Sequence, residues 1–276
     1  MGERPVPEHV TDGPERTAAT VREESAGRVR KVVLDGPRRH NVLDLEGWWA
    51  LERVFGKLAA QGTEVGCVLL SGAGGRAFSA GSDIRAFERQ RKEMADVRAY
   101  SDAIAGGLAA VRNCPHPVLA VVEGLCVGGG LEIAACCDIR ICGESSRFGA
   151  PVNRLGLTMA HAELRPLVEL MGRAWTSHIL LTGDLIGAEE ARAMGLVTAV
   201  CPDAEVAGCG LALAERISAG APLVNRWHKR FIDQVAGKVE LSAEELDEPL
   251  EAFATRDHAE GRAAFVEKRK PEFTGA

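Results

Sequence analysis

The stretch PVLAVVEGLCVGGGLEIAACCDIRICGESSRFGAP, Pro117–Pro151, carries the fold in its punctuation. Val118–Val122 is a continuous apolar run too short for a helix, as expected of a strand covered on both faces. GGGLEIAACCD (Gly128–Asp138) then reads as a glycine turn opening a short buried helix, and IRICGESSRFGAP contributes short strands. One carboxylate, Glu132, stands just past the glycine turn among Leu131, Ile133, Ala134 and Ala135, where a core side chain is otherwise expected.

The same strand–turn–helix grammar extends outward. RVRKVVLD (Arg28–Asp35) alternates as a strand and is followed by the prolyl turn GPRRHN and a helical pattern over 43–60. EVGCVLLSG (Glu64–Gly72) is another buried strand, and GAGGRAFSAGSD leads into a polar helical region over 84–111. Helical segments are predicted at 162–171, 174–181 and 188–194, with a last core strand in LVTAVCP. From Asp203 onward the pattern is helical throughout. The expectation is therefore a mostly flexible N-terminal segment (1–27, with room for one short opening strand), an α/β core (28–202), and a helical C-terminal region (203–276) suited to oligomerisation.

The 276-residue chain has 46% hydrophobic and 26% charged residues, and a net charge of −6. These are values of an ordinary globular protein and lack the basic stripe that nucleic acid requires. Eight cysteines without a CxxC pair read as buried free thiols, not a disulfide framework or a zinc ribbon. Neither a signal-peptide region nor a membrane-spanning apolar run is found, so a cytoplasmic location is expected.

The glycine turn invites a phosphate-loop reading, but no GxGxxG runs through Gly124 or Gly128 and no GxxxxGK[ST] exists. His161–Glu163 has the HxE of a zinc deaminase without its PCxxC, and GxSxG is absent. The remaining use of such turns is to offer backbone N–H groups to a developing oxyanion. Two places qualify, AGSD (80–83) and GGGLE (128–132), each following an apolar strand and opening a helix. If their strands are neighbours, both turns open at one edge of the sheet, and Glu132 stands beside them.

AFSAGSDIRAF (77–87), the 117–151 stretch, LTGDLIGAEEARAMGLVTAV (181–200) and EGRAAFVEKRKPEF (260–273) together resemble the enoyl-CoA hydratase/isomerase, or crotonase, superfamily. The resemblance implies an α/β fold, a crotonase-type ββα spiral core with a helical C-terminal region. It implies an acyl-CoA substrate, no metal or separate cofactor, and assembly as a homotrimer or homohexamer. By motif position the oxyanion donors would be the N–H groups of Ser82 and Gly129, and Glu132 the acid/base. Ser82 stands where most relatives carry alanine, a change that a backbone donor tolerates. Arg85, Arg38, Arg39, Phe265 and Lys268 match positions that contact CoA in relatives.

One position departs from the pattern. The second glutamate of the hydratases follows the proline of FGxPE, and here the sequence reads Phe148-Gly149-Ala150-Pro151-Val152. Glu132 is then expected to act alone, or with Glu163 or His161 as a replacement, in hydration, dehydration or isomerisation. Thioester hydrolysis, decarboxylation and acyl-CoA binding without turnover are the other readings.

Overall fold

The computed structural model describes residues 18–237 and 240–276. Its chain opens with an antiparallel pair, β1 (Thr20–Ala26) and β2 (Val29–Asp35), and then α1 (Leu45–Ala59). Three ββα units follow. The first is β3 (Cys67–Gly72), β4 (Ala77–Ser79), and α2 (Phe87–Gln90) with α3 (Met94–Arg112). The second is β5 (Val118–Val122), β6 (Leu125–Val127) and α4 (Gly129–Ala135), and the third is β7 (Ile139–Gly143), β8 (Arg147–Gly149) and α5 (His161–Thr182). β9 (Ile186–Gly187), α6 (Ala188–Ala193) and β10 (Ala199–Cys201) lead to α7 (Val206–Ser218), α8 (Pro222–Ala236), α9 (Ala243–Asp247) and α10 (Arg256–Glu267).

Within each unit the first strand joins a six-stranded sheet, ordered β1-β2-β3-β5-β7-β10, and the second joins a four-stranded sheet, ordered β4-β6-β8-β9. This produces the ββα spiral. The larger sheet is parallel from β2 onward, which buries both faces and explains its unbroken apolar strands. The two-residue period of a strand then divides the core. Val68, Leu70, Val118, Ala120 and Val122 face the cluster built with Trp48, Leu51, Phe55 and Leu108 of α1 and α3. Cys67, Leu69, Leu119 and Val121 face Val206 and Ala214 of α7.

The short opening strand for which the sequence left room is β1. The sheet already begins at Thr20, because β1 pairs with β2 along its whole length, from Thr20↔Asp35 to Ala26↔Val29. Of the expected flexible segment, residues 1–17 lie outside the described residues. At the other end α7, the first helix of the C-terminal helical region, packs on the core. It covers one face of the large sheet so closely that a Cβ on Gly210 would lie 2.4 Å from Val121 Cγ2.

Segments 162–171 and 174–181 form one assigned helix with a break, Gly172 at φ 72° and ψ 170°. All eight cysteines are free, and seven are buried. Burial pushes the Cys67 and Cys136 thiols up to about 12, which makes them inert core residues.

Candidate active site

β4 and β6 are parallel neighbours, with Ala77 opposite Leu125 and Ser79 opposite Cys126, so the turns that follow them open side by side. Their approach is close: a Cβ on Gly81 would lie 2.5 Å from the Gly129 nitrogen. Gly128 takes φ +55° to start α4, and a Cβ on Gly130 would strike the Ser79 carbonyl oxygen at 2.1 Å. No acceptor among the described residues takes the N–H of Ser82 or of Gly129. Two free donors from adjacent helix starts thus face one cleft of about 460 Å³, which Ser82, Gly128 and Gly129 line.

The first turn is tied to the 36–43 segment. Ala80 N–H donates to the His40 carbonyl (2.8 Å), Leu43 N–H to Gly81 (2.8 Å), and Asp83 N–H to Leu43 (2.7 Å). Arg39 grips the Asp83 carboxylate with both terminal nitrogens, at 2.5 and 2.7 Å. Beneath both turns lies Trp48, fully buried, whose Nε1–H donates to Ser82 Oγ at 3.3 Å. Its ring edge would meet a Cβ on Gly129 at 2.8 Å. Trp48 therefore backs both donors at once, a role its place in an apolar helical pattern does not reveal.

Glu132, in the first turn of α4, is 5% exposed and lines the cleft. Glu163, in the first turn of α5, is 8% exposed and lines the same cleft beside Val152 and Met159. One Glu163 oxygen accepts the Ala160 N–H at 2.7 Å, which fixes the side chain over the helix start. Burial raises both carboxyls above their ordinary range. Glu132 is pushed to about 8 by burial and then by the Glu163 charge, with Arg91 opposing. On Glu163 the Ala160 hydrogen bond and Arg91 oppose the rise. Two carboxyls that feel one another titrate as a unit.

The other sequence candidates separate from this centre. His161 is exposed and does not line the cleft. Arg85 and Arg38 are exposed, and Arg85 follows the cleft-lining Ile84. Arg39 is committed to Asp83 and so holds the turn. Phe265, 85% exposed, and Lys268, also exposed, lie on and just beyond α10, outside the cleft lining.

Residues 24–276 match the family model described as enoyl-CoA hydratase/isomerase. The chain belongs to this family. It is 32% identical to the short-chain-enoyl-CoA hydratase of Clostridium acetobutylicum, over 90% of this chain and 95% of that one. It is 33% identical to a probable enoyl-CoA hydratase of Mycobacterium bovis, over 94% and 99%. Among solved structures, an enoyl-CoA hydratase/carnithine racemase from Magnetospirillum magneticum superposes with a TM-score of 0.90 at 41% identity, covering 93% of this chain and 96% of that one. The enoyl-CoA hydratase of Bacillus anthracis gives 0.85 at 29% identity, covering 93% and 100%. This enoyl-CoA hydratase/isomerase family member is thus an enzyme of that family, built on its ββα core, and the acyl-CoA substrate expected from its motifs fits the family. Among the described residues no cluster of three or more His, Cys, Asp or Glu could hold a metal ion, and no helix is long and apolar enough to cross a membrane.

Proposed function

We propose that this enzyme adds water to a 2-enoyl-CoA, or removes it from the 3-hydroxyacyl-CoA, using Glu132 and Glu163 as its two carboxyls. The observation that carries this reading is the meeting of Glu163 with Glu132 in one cleft. It supports a second carboxyl in the cleft that Val152 also lines, where the motif itself has none. The N–H groups of Ser82 and Gly129 receive the thioester oxygen as charge develops on it. Glu163, ionised with the help of the Ala160 N–H and Arg91, takes a proton from water as its oxygen bonds to C3. The C2–C3 double bond shifts toward the thioester to form an enolate, and Glu132 delivers its proton to C2. The product is the 3-hydroxyacyl-CoA, and a proton relay between the two carboxyls restores the site.

The test is incubation of the purified enzyme with matched 2-enoyl- and 3-enoyl-CoAs, followed by mass and ultraviolet absorbance. Gain of one water with loss of the conjugated-thioester band supports hydration. A band change at constant mass assigns isomerisation, and release of free CoA assigns hydrolysis. Glu163→Gln with wild-type turnover would remove Glu163 from the mechanism.

We further propose that the C-terminal helices join copies of the chain into a trimer or a hexamer. Ile232, Val235, Leu246, Leu250, Phe253, Phe265 and Val266 support this reading, since each is more than half exposed and all lie in the C-terminal helical region. Phe265 and Lys268 would then reach a neighbouring copy's bound CoA. Light scattering coupled to size exclusion reads the mass, and a single-chain value overturns the proposal.

A further inference from the structure

Arg91, between α2 and α3, is the one cationic side chain among the described residues lining the cleft. Its guanidinium carbon lies 3.8 Å from the Phe87 ring centroid and 4.0 Å from that of Tyr100. The two rings meet edge to face at 79°, so the cation is held between fixed aromatic walls. Its charge reaches Glu132 and Glu163, yet it forms an ion pair with neither. Its Nε is buried and has no protein hydrogen-bond partner. The surrounding wall is otherwise suited to an acyl chain, with Phe87, Val97, Ile104, Leu157 and Met159.

A half-buried guanidinium that lines a cleft without an ion-pair partner invites an acceptor from a ligand. Its planar fork matches carboxylates and phosphates alike, and beside an apolar acyl wall the acceptor that fits is a carboxylate carried on the acyl group. We infer that the acyl group this enzyme takes bears a carboxylate on its chain, seated on Arg91, so that the substrate is the CoA thioester of an unsaturated dicarboxylic acid. This rests on the acyl-CoA reading above.

Saturated probes separate recognition from chemistry, because neither can turn over. Glutaryl-CoA and valeryl-CoA have acyl chains of equal carbon number and differ in the terminal carboxylate. Calorimetric titration of wild type is expected to show glutaryl-CoA binding about 10- to 100-fold tighter, the range of one charge-assisted contact. Arg91→Gln should narrow that gap to below about threefold, and Arg91→Lys should restore part of it, since an ammonium lacks the fork. Equal binding of the two probes by wild type overturns the inference. So does an Arg91→Gln variant that weakens both alike and leaves their ratio intact. If the enoyl forms fail to gain water while the glutaryl preference persists, hydration alone is lost and the carboxylate site stands.

Discussion

The two sides of the cleft are built by opposite means. On one side the proposed chemistry belongs to the backbone, with two N–H groups at converging turns held by the 40–43 segment, Arg39 and Trp48. On the other side it belongs to side chains, with Glu163 projecting from the start of α5 above a turn that carries Val152. Backbone donors tolerate a change of side chain, which is why serine can stand at position 82. A catalytic carboxylate has no such latitude at its own position, but another helix can supply it from elsewhere in the sequence.

The comparison breaks most easily at the carboxyls. Glu132→Gln and Glu163→Gln are each expected to lower kcat by about 10²–10⁴. If the pair works as a unit, the double variant falls little further than either single one, and a multiplied loss would show two independent roles. On the backbone side, Gly129→Ala drives a methyl toward Trp48 and displaces the donor, for an expected loss of about 10²–10³ in kcat. Normal turnover by that variant would mean the Gly129 N–H does not receive the oxyanion.

The pH dependence sharpens the contrast, because only one side titrates. Glu132 has a native pKa raised to about 8, so the folded state keeps a proton that the unfolded chain gives up in the ordinary carboxyl range. This stabilisation is whole below that range and is lost as pH rises toward about 8, since the native state binds more protons over that interval. Thermal melts of Glu132→Gln should therefore gain on wild type steadily as pH is raised across that interval. A constant offset would show that Glu132 is not held protonated. The rate of hydration should fall as pH passes about 8, where Glu132 loses its proton.

The smallest effects are expected behind the turns. Trp48→Phe removes the indole N–H from Ser82 Oγ, a neutral hydrogen bond of about 1 kcal/mol, and should lower kcat a fewfold with KM little changed. Ser82→Ala keeps the N–H and should change kcat by less still. A loss there as large as that of Gly129→Ala would show the hydroxyl, not the backbone, to be the working group.

How much of this was legible depended on how local the signal was. The paired turns were readable because a glycine run after a buried strand constrains backbone geometry within a few residues. The strand order then confirmed them as neighbours. Glu132 was readable for the same reason, as a charge within an apolar helix start. The packing of α7 on the large sheet was not legible, because α7 looks like any other amphipathic helix until Val121 is found against Gly210. Arg91 gave no signal at all: FERQRKEM offers three basic residues, and only packing against Phe87 and Tyr100 selects one.

By itself the sequence determined the strand–helix alternation of an α/β core, the two glycine turns, the place of Glu132, and the absence of a carboxylate at Val152. Each follows from residue type and spacing along the chain. The tertiary structure alone decided that Glu163 and not His161 joins Glu132, that Arg39 binds Asp83, and that Arg91 enters the cleft. Those outcomes turn on which side chains from distant segments point into one cavity, and a solvent-exposed and a buried rotamer leave the same letter in the sequence.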